Sequence, residues 1–233
     1  MSNYVEIGYP VYPGMPVYPG LPEVELNLRE DLTKGAYWNG SVLSIYLHAG
    51  THVDAPWHYM GGDAPKFDDK EAIPTESFIY DNPLLIDINP VGENYLITIE
   101  DLKAAGDALY EADALFFNTG YWQKRDSDFM SYAVGFPAVS PEAAMWIRTE
   151  LPKVKAVGID TLSIENVGPD YGVKNGFTTH KAFLNPDLPN HTILIFEDIN
   201  PEPLIGKKLL RAFTTPLRVR ADASNVNIIC EVE

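Results

Sequence analysis

Residues 40–58 read Gly40-Ser-Val-Leu-Ser-Ile-Tyr-Leu-His48-Ala-Gly-Thr-His52-Val-Asp54-Ala-Pro-Trp-His58, and they decide how the rest of the chain is read. Leu43, Ile45 and Leu47 alternate with Ser44, Tyr46 and His48, the period-two pattern of a strand. The expectation is a strand that delivers His48 at its end. Gly50 and Pro56 interrupt the stretch after it, so the four-residue spacing of His48 and His52 does not come from a helix. A tight loop is expected to fold His52, Asp54 and His58 back towards one point. Three of the chain's five histidines fall in this stretch. Imidazole and carboxylate are the usual side-chain ligands of a catalytic zinc or manganese. Gathered without a cation, each group would need its own partner, at about 1–3 kcal/mol for each one left unpaired.

Upstream, Pro10-Val-Tyr-Pro-Gly14-Met15 is nearly repeated as Pro16-Val-Tyr-Pro-Gly20-Leu21. Prolines this dense forbid a helix and favour extended or turn backbone. The segment reads as a rigid arm over the domain, or as an aromatic lip over a pocket through Tyr12, Tyr18 and Met15. Downstream, Leu84–Ile88 reads as a buried strand. Thr98 to Asp101 opens a helix in the manner of a capping box, with Ile99, Leu102, Ala105 and Leu109 at helical spacing. Ala114–Phe117 is a short strand. Ser140-Pro-Glu142 opens a second helix with an N-cap hydroxyl, a proline at the first helical position and an acid in the first turn; the helix runs to about Glu150. Lys155–Asp160 and Thr192–Glu197 read as strands, and Leu217–Arg220 with Val226–Cys230 as an antiparallel pair. The order is strand-rich, then β-α-β-α-β, then strand-rich again. It predicts one mixed α/β domain over residues 1–233, built on a mixed β-sheet, with no linker long enough for a boundary.

Composition narrows the function. With 233 residues, 45% of them hydrophobic, the chain can bury a sizeable core. A formal net charge of −16 with no basic stripe argues against nucleic acid and anionic membrane surfaces as partners. The single cysteine, Cys230, excludes an internal disulfide framework and reads as a strand residue. The N-terminal segment has neither a basic n-region nor an apolar h-region, and no apolar run approaches the ~18 residues of a membrane span. A cytoplasmic protein is the expectation. No Gly-x-Ser-x-Gly elbow is present, which disfavours a serine hydrolase.

The run His-x-Gly-Thr-His-x-Asp-Ala-Pro-x-His resembles the signature of the cyclase family of metal-dependent hydrolases, which includes bacterial kynurenine formamidase and isatin hydrolase. The resemblance extends along most of the chain: Gly14–Gly20, Phe117-Asn-Thr-Gly-Tyr-Trp122, Val139-Ser-Pro-Glu-Ala-Ala144, Val157-Gly-Ile-Asp-Thr-Leu-Ser163, His180-Lys-Ala-Phe-Leu184 and Phe196-Glu-Asp-Ile199 are each similar to family segments. It implies a swivelling β/β/α fold, commonly as a homodimer or higher oligomer. Carried over residue by residue, it implies His48, His52, Asp54, His180 and Glu197 as metal ligands and His58 as general acid/base. Two departures stand out. The connection from His180 to Glu197 is long, which leaves His191 as a rival ligand to Glu197. Glu165 stands where the family often has aspartate, a change expected to reshape the pocket without touching the ligand set.

The resulting expectation is a hydrolase of a small amide, aryl formamide or cyclic amide, carrying one or two Zn²⁺ or Mn²⁺ ions per subunit. Metal-bound hydroxide would attack the carbonyl, and His58 would move the proton, since imidazole titrates near neutral pH. Trp57 and Tyr18 are candidate substrate-binding residues. Thr51, Asn118 and Thr119 are candidates for orienting ligands. Ring-closing or lactone chemistry at the same site, and a non-catalytic metal-binding module, are the competing readings.

Overall fold

The computed structural model describes residues 3–88 and 90–233, so the first two residues of the N-terminal segment lie outside it. Its centre is a six-stranded mixed sheet in the order Ala223–Asn225, His52–Asp54, Leu194–Glu197, Ala156–Ile159, Ala114–Asn118, Pro83–Asp87. The last four strands are mutually parallel. The first two join antiparallel. The parallel strands follow one another in sequence and in space. Helices connect them, the longest being Pro141–Glu150 and Thr178–Leu184. This is the mixed α/β architecture that the alternation of elements predicts.

Alternation along these strands separates two apolar layers. Leu115, Phe117, Val157, Ile159 and Ile195 pack with Ala143, Ile147 and Phe183 of the two helices. Ala114, Phe116, Ala156, Leu194 and Phe196 face the other way. There they meet a second sheet of four strands, ordered Asn3–Glu6, Ile228–Val232, Leu209–Thr214, Ile79–Tyr80. The arrangement is helices, sheet, sheet. Cys230 is fully buried in the second sheet, and that burial pushes its thiol up to about 12. Among the described residues, no helix is long and apolar enough to cross a membrane.

Several local expectations change in the folded chain. The strand before His48 covers only Gly40–Ser44 and forms a two-stranded hairpin with Glu25–Glu30. Leu43, on that hairpin, is half exposed. His52–Asp54, expected in a loop, is a fully buried strand. Leu217–Arg220 is not a strand; Ile228–Val232 pairs instead with Leu209–Thr214 and Asn3–Glu6. The Thr98–Asp101 capping box forms, but its helix stops at Lys103 and a short second one follows at Ala108–Glu111. Between them Gly106 takes a positive φ of 71°. The proline-rich segment is an arm that seats Met15 against Gly50, where a Cβ would lie 2.6 Å from the Met15 methyl.

Ser140 caps the helix Pro141–Glu150 through the Ala143 amide, as its sequence predicts. The same helix carries a buried arginine. The Arg148 guanidinium donates to the carbonyls of Phe183, Asn185, Leu188, Pro189 and Asn190. The long connection between His180 and Glu197 is thus tied back by one side chain. Arg148→Met leaves those carbonyls without their donor and is expected to lower stability by about 2–4 kcal/mol. The urea midpoint measures this, and an unchanged midpoint would show that water replaces the guanidinium at no cost.

Candidate metal centre

The sheet register builds the centre. Glu197 lies opposite His52 and Ile195 opposite Asp54, so His52, Asp54 and Glu197 project from one face while Val53 and Phe196 enter the apolar layer behind. Side chains directly opposite on neighbouring strands are in contact range. His52 Nε2 lies 3.2 Å from Glu197 Oε2 and 3.5 Å from Asp54 Oδ1. His48 enters from the turn before the strand, its Nδ1 3.0 Å from Asp54 Oδ1. His180 enters from the helix Thr178–Leu184, its Nε2 3.3 Å from Glu197 Oε1. All five implied ligands therefore converge. His58, on the short helix Trp57–Met60, stacks at 4.0 Å on the His48 ring and stands 6.1 Å from that of His180. His191 does not reach the centre: its Nε2 donates to the Val154 carbonyl.

Hydrogen bonds fix how the imidazoles are turned. His52 Nδ1 donates to the Gly50 carbonyl at 2.8 Å, so Nε2 faces inward with its lone pair. His180 Nδ1 donates to Glu165 Oε2 at 2.9 Å, and the His180 amide donates to the same oxygen. Glu165 is therefore directly bonded to a candidate ligand, contrary to the expectation that it leaves that set untouched. Glu197 Oε1 accepts from the Ile164 amide at 2.6 Å and from Ser163 Oγ at 3.0 Å.

Whether these residues suit a cation can be read from what they leave unpaired. His52 Nε2 and both oxygens of Asp54 are buried without a hydrogen-bond partner among the described residues. Their short approaches to neighbouring ligand atoms lack hydrogen-bond direction and point at common space. His48, His52 and Asp54 offer one group of ligand atoms, and Asp54, His180 and Glu197 a second; within each, the atoms lie within 4.8 Å of one another. Electrostatics agree. Burial alone would drive the imidazoles neutral, but Asp54 and Asp222 raise His48 to about 10, and Glu165 and Glu197 raise His180 to about 9. A centre that draws protons onto its imidazoles this strongly also draws a cation. The residues fit a divalent ion.

The remaining candidates make other contacts. Trp57 turns its ring under the Lys66 ammonium at 4.4 Å, and Tyr18 packs on the Tyr121–Tyr132 cluster. The rings against the centre are Tyr59, at 4.1 Å from His180 and 4.4 Å from His58, then Phe177 on Tyr59 and Tyr46 beside His48. Thr51 donates to the Asp198 carbonyl, Asn118 to Asp87 across two paired strand ends and Thr119 to Asp160, so the partner of each is a group other than the implied ligands. Two features were missed in the sequence. Arg125 clasps Asp198 with two nitrogens at 2.9 Å, where Tyr132 also donates, and this holds the turn after Glu197. Asp222 Oδ2 lies 2.8 Å from His48 Nε2 and 3.3 Å from His58 Nδ1. No spacing signal points to either; Asp222 is 174 residues from His48.

Known proteins share this fold. The Cyclase family model, described as a putative cyclase, matches residues 5–166. Cyclase-like protein 1 of Arabidopsis thaliana is 26% identical over 155 residues, 66% of this chain; the chain spans 58% of that protein's length. Among solved structures, a predicted metal-dependent hydrolase from Bacillus stearothermophilus is 25% identical with a TM-score of 0.72, over 99% of this chain and 98% of that one. Isatin hydrolase A from Labrenzia aggregata, bound to benzyl benzoate, shares the fold at 18% identity and a TM-score of 0.77, over 99% and 94% of the two chains. The family match includes Glu165 and stops before His180 and Glu197, so geometry has to join the two halves. Glu165→Ala frees the His180 ring and is expected to weaken Zn²⁺ binding about 10–100-fold, measured by competition with a chromogenic chelator. Unchanged affinity would detach Glu165 from the centre.

Proposed function

Because the chain belongs to the Cyclase family, we propose that it is a metal-dependent hydrolase of a small amide, aryl formamide or cyclic amide, using one or two zinc or manganese ions. The observation that carries this reading is Asp54. Both of its oxygens are buried without a hydrogen-bond partner among the described residues, and it belongs to both inner ligand groups. A carboxylate so placed suits a cation, or a pair of cations sharing it. His48, His52, Asp54, His180 and Glu197 would hold the metal.

A bound divalent ion polarises a carbonyl and lowers the pKa of water to about 7. The protein's own groups supply the rest. His58 belongs to neither inner group, its side chain is 22% exposed, and its ring stacks on that of His48. That position suits a carrier that takes a proton and returns it to the leaving nitrogen. Tyr59, Phe177 and Tyr46 form an apolar, aromatic border that suits a planar aryl substrate. The similar solved structure of a predicted metal-dependent hydrolase supports hydrolysis as the reaction class.

A chelated protein is expected to lose hydrolysis of a panel of aryl formamides and cyclic amides, and to regain it with Zn²⁺ or Mn²⁺. His58→Ala is expected to keep its metal and lose about 10²–10⁴-fold in turnover. Full activity in that variant would sink the proton-carrier role.

The reading includes a homo-oligomer. Leu26, Leu28, Val42 and Leu43 on the hairpin are each about half exposed, and Trp38 at its tip is 60% exposed. A two-stranded hairpin is marginal on its own, and an exposed apolar edge is a pairing surface. A second copy would cover it. Sedimentation is expected to show a dimer or larger, and Leu28→Lys with Leu43→Lys, two residues on one face of the hairpin, a smaller species. A monomeric parent protein at micromolar concentration would overturn this.

A further inference from the structure

One carboxylate reaches two imidazoles that the proposed chemistry uses for different ends. The backbone places it there. Ala223 pairs with Asp54 in the sheet, and the Ala55 amide donates to the Asp222 carbonyl at 2.8 Å. Asp222 is thus anchored to the ligand strand itself, just outside the ligand set. Its side chain stands at the rim, 32% exposed, whereas Asp54 is fully buried.

The contacts of Oδ2 decide ring orientation. His48 Nε2 donates to it at 2.8 Å, so the His48 nitrogen left for the centre is Nδ1, which lies 3.0 Å from Asp54 Oδ1. His58 Nδ1 donates to the same oxygen at 3.3 Å. Its Nε2, on the far side of the ring, is then left as the acceptor. Which nitrogen of an imidazole is free depends on the hydrogen bond made by the other. A single carboxylate oxygen can accept both N–H groups. The stacking of the two rings at 4.0 Å is what brings both donors within its reach.

We propose that Asp222 is a positioning residue that sets two imidazoles at once: it holds His48 with Nδ1 towards Asp54, and His58 as the Nδ1–H tautomer with Nε2 open to substrate. The His58 half rests on the proton-carrier role proposed for that residue; the His48 half does not. The consequence is a link between metal binding and proton transfer through one oxygen. Losing it loosens a ligand and misdirects the proton carrier together.

The test uses zinc-loaded protein and three variants, Asp222→Ala, His58→Ala and the double variant, with Asp222→Asn as a partner of nearly equal volume in case the alanine fails to fold. Asp222→Ala is expected to weaken Zn²⁺ affinity about 10–100-fold by chelator competition, with the number of ions per chain unchanged. At saturating Zn²⁺ it should lower kcat about 10-fold or more while KM stays within about two-fold. In the His58→Ala background the same substitution should change kcat by less than about two-fold, the non-additivity expected of groups acting as a unit. Nitrogen-15 NMR of the zinc-loaded protein should show His58 leaving the Nδ1–H form in Asp222→Ala, with Asp222→Asn between the two. Unchanged affinity and tautomer would overturn the proposal, as would fully additive kcat losses. So would the loss of one whole zinc ion per chain with the rest bound as before, which would make Asp222, His48 and His58 a cation site instead. Should His58→Ala retain full activity, the proton-carrier role fails, while affinity and tautomer still judge Asp222.

Discussion

The antiparallel seating of His52–Asp54 between Leu194–Glu197 and Ala223–Asn225 is the constraint on which the molecule turns. It sets two things in one register. Val53 and Phe196 go into the apolar layer between the sheets, and His52, Asp54 and Glu197 go to the opposite face. A slip of one residue would exchange the sets, burying carboxylates in hydrocarbon and exposing the core. Packing of the core and assembly of the centre therefore select the same pairing. Neither could be moved alone.

The neighbouring acids Glu197 and Asp198 show how differently two buried carboxylates are accommodated. Asp198 takes a left-handed backbone with φ of 52° and turns away into a closed pair with Arg125 and Tyr132. Its charge is met within the protein. Glu197 Oε1 is held by a backbone amide and a serine hydroxyl and also lies near His180 Nε2, while Oε2 faces His52. Asp54 is met by nothing with hydrogen-bond direction among the described residues. Isolated burial of such a charge is very costly, so the pairing of one acid and the incompleteness of the others mark where a cation is wanted. The strained turn at Asp198 also ends the strand at the residue that has to face the centre.

Much of this was legible from residue types and spacing. The strands from Leu84 to Glu197, the capped helix at Ser140 and the gathering of His48, His52, Asp54 and His58 all have local signatures: short apolar runs, an N-cap followed by proline, and clustered ligand chemistry. Other parts had signatures that misled. Leu43, Ile45 and Leu47 alternate like a half-buried strand, but alternation cannot tell a core face from one left to solvent or to another chain. His52-Val-Asp54 is too short and too polar to read as a central strand; its neighbours on both sides make it one. The Leu217–Arg220 run has strand residues but, among the described residues, no partner strand, and the pairing went to Leu209–Thr214.

By itself, the sequence determined the chemistry: which ligand types are present, that they are gathered around one loop, and that a mixed α/β sheet surrounds them. Only the tertiary structure decided how each ring is turned and which acid turns it. Glu165 on His180, Asp222 on His48 and His58, and Arg125 on Asp198 are contacts across sheet and helix packing. The physical reason is that periodicity records which face of its own element a residue occupies. A hydrogen bond between elements depends on register and packing distance, which no local pattern encodes.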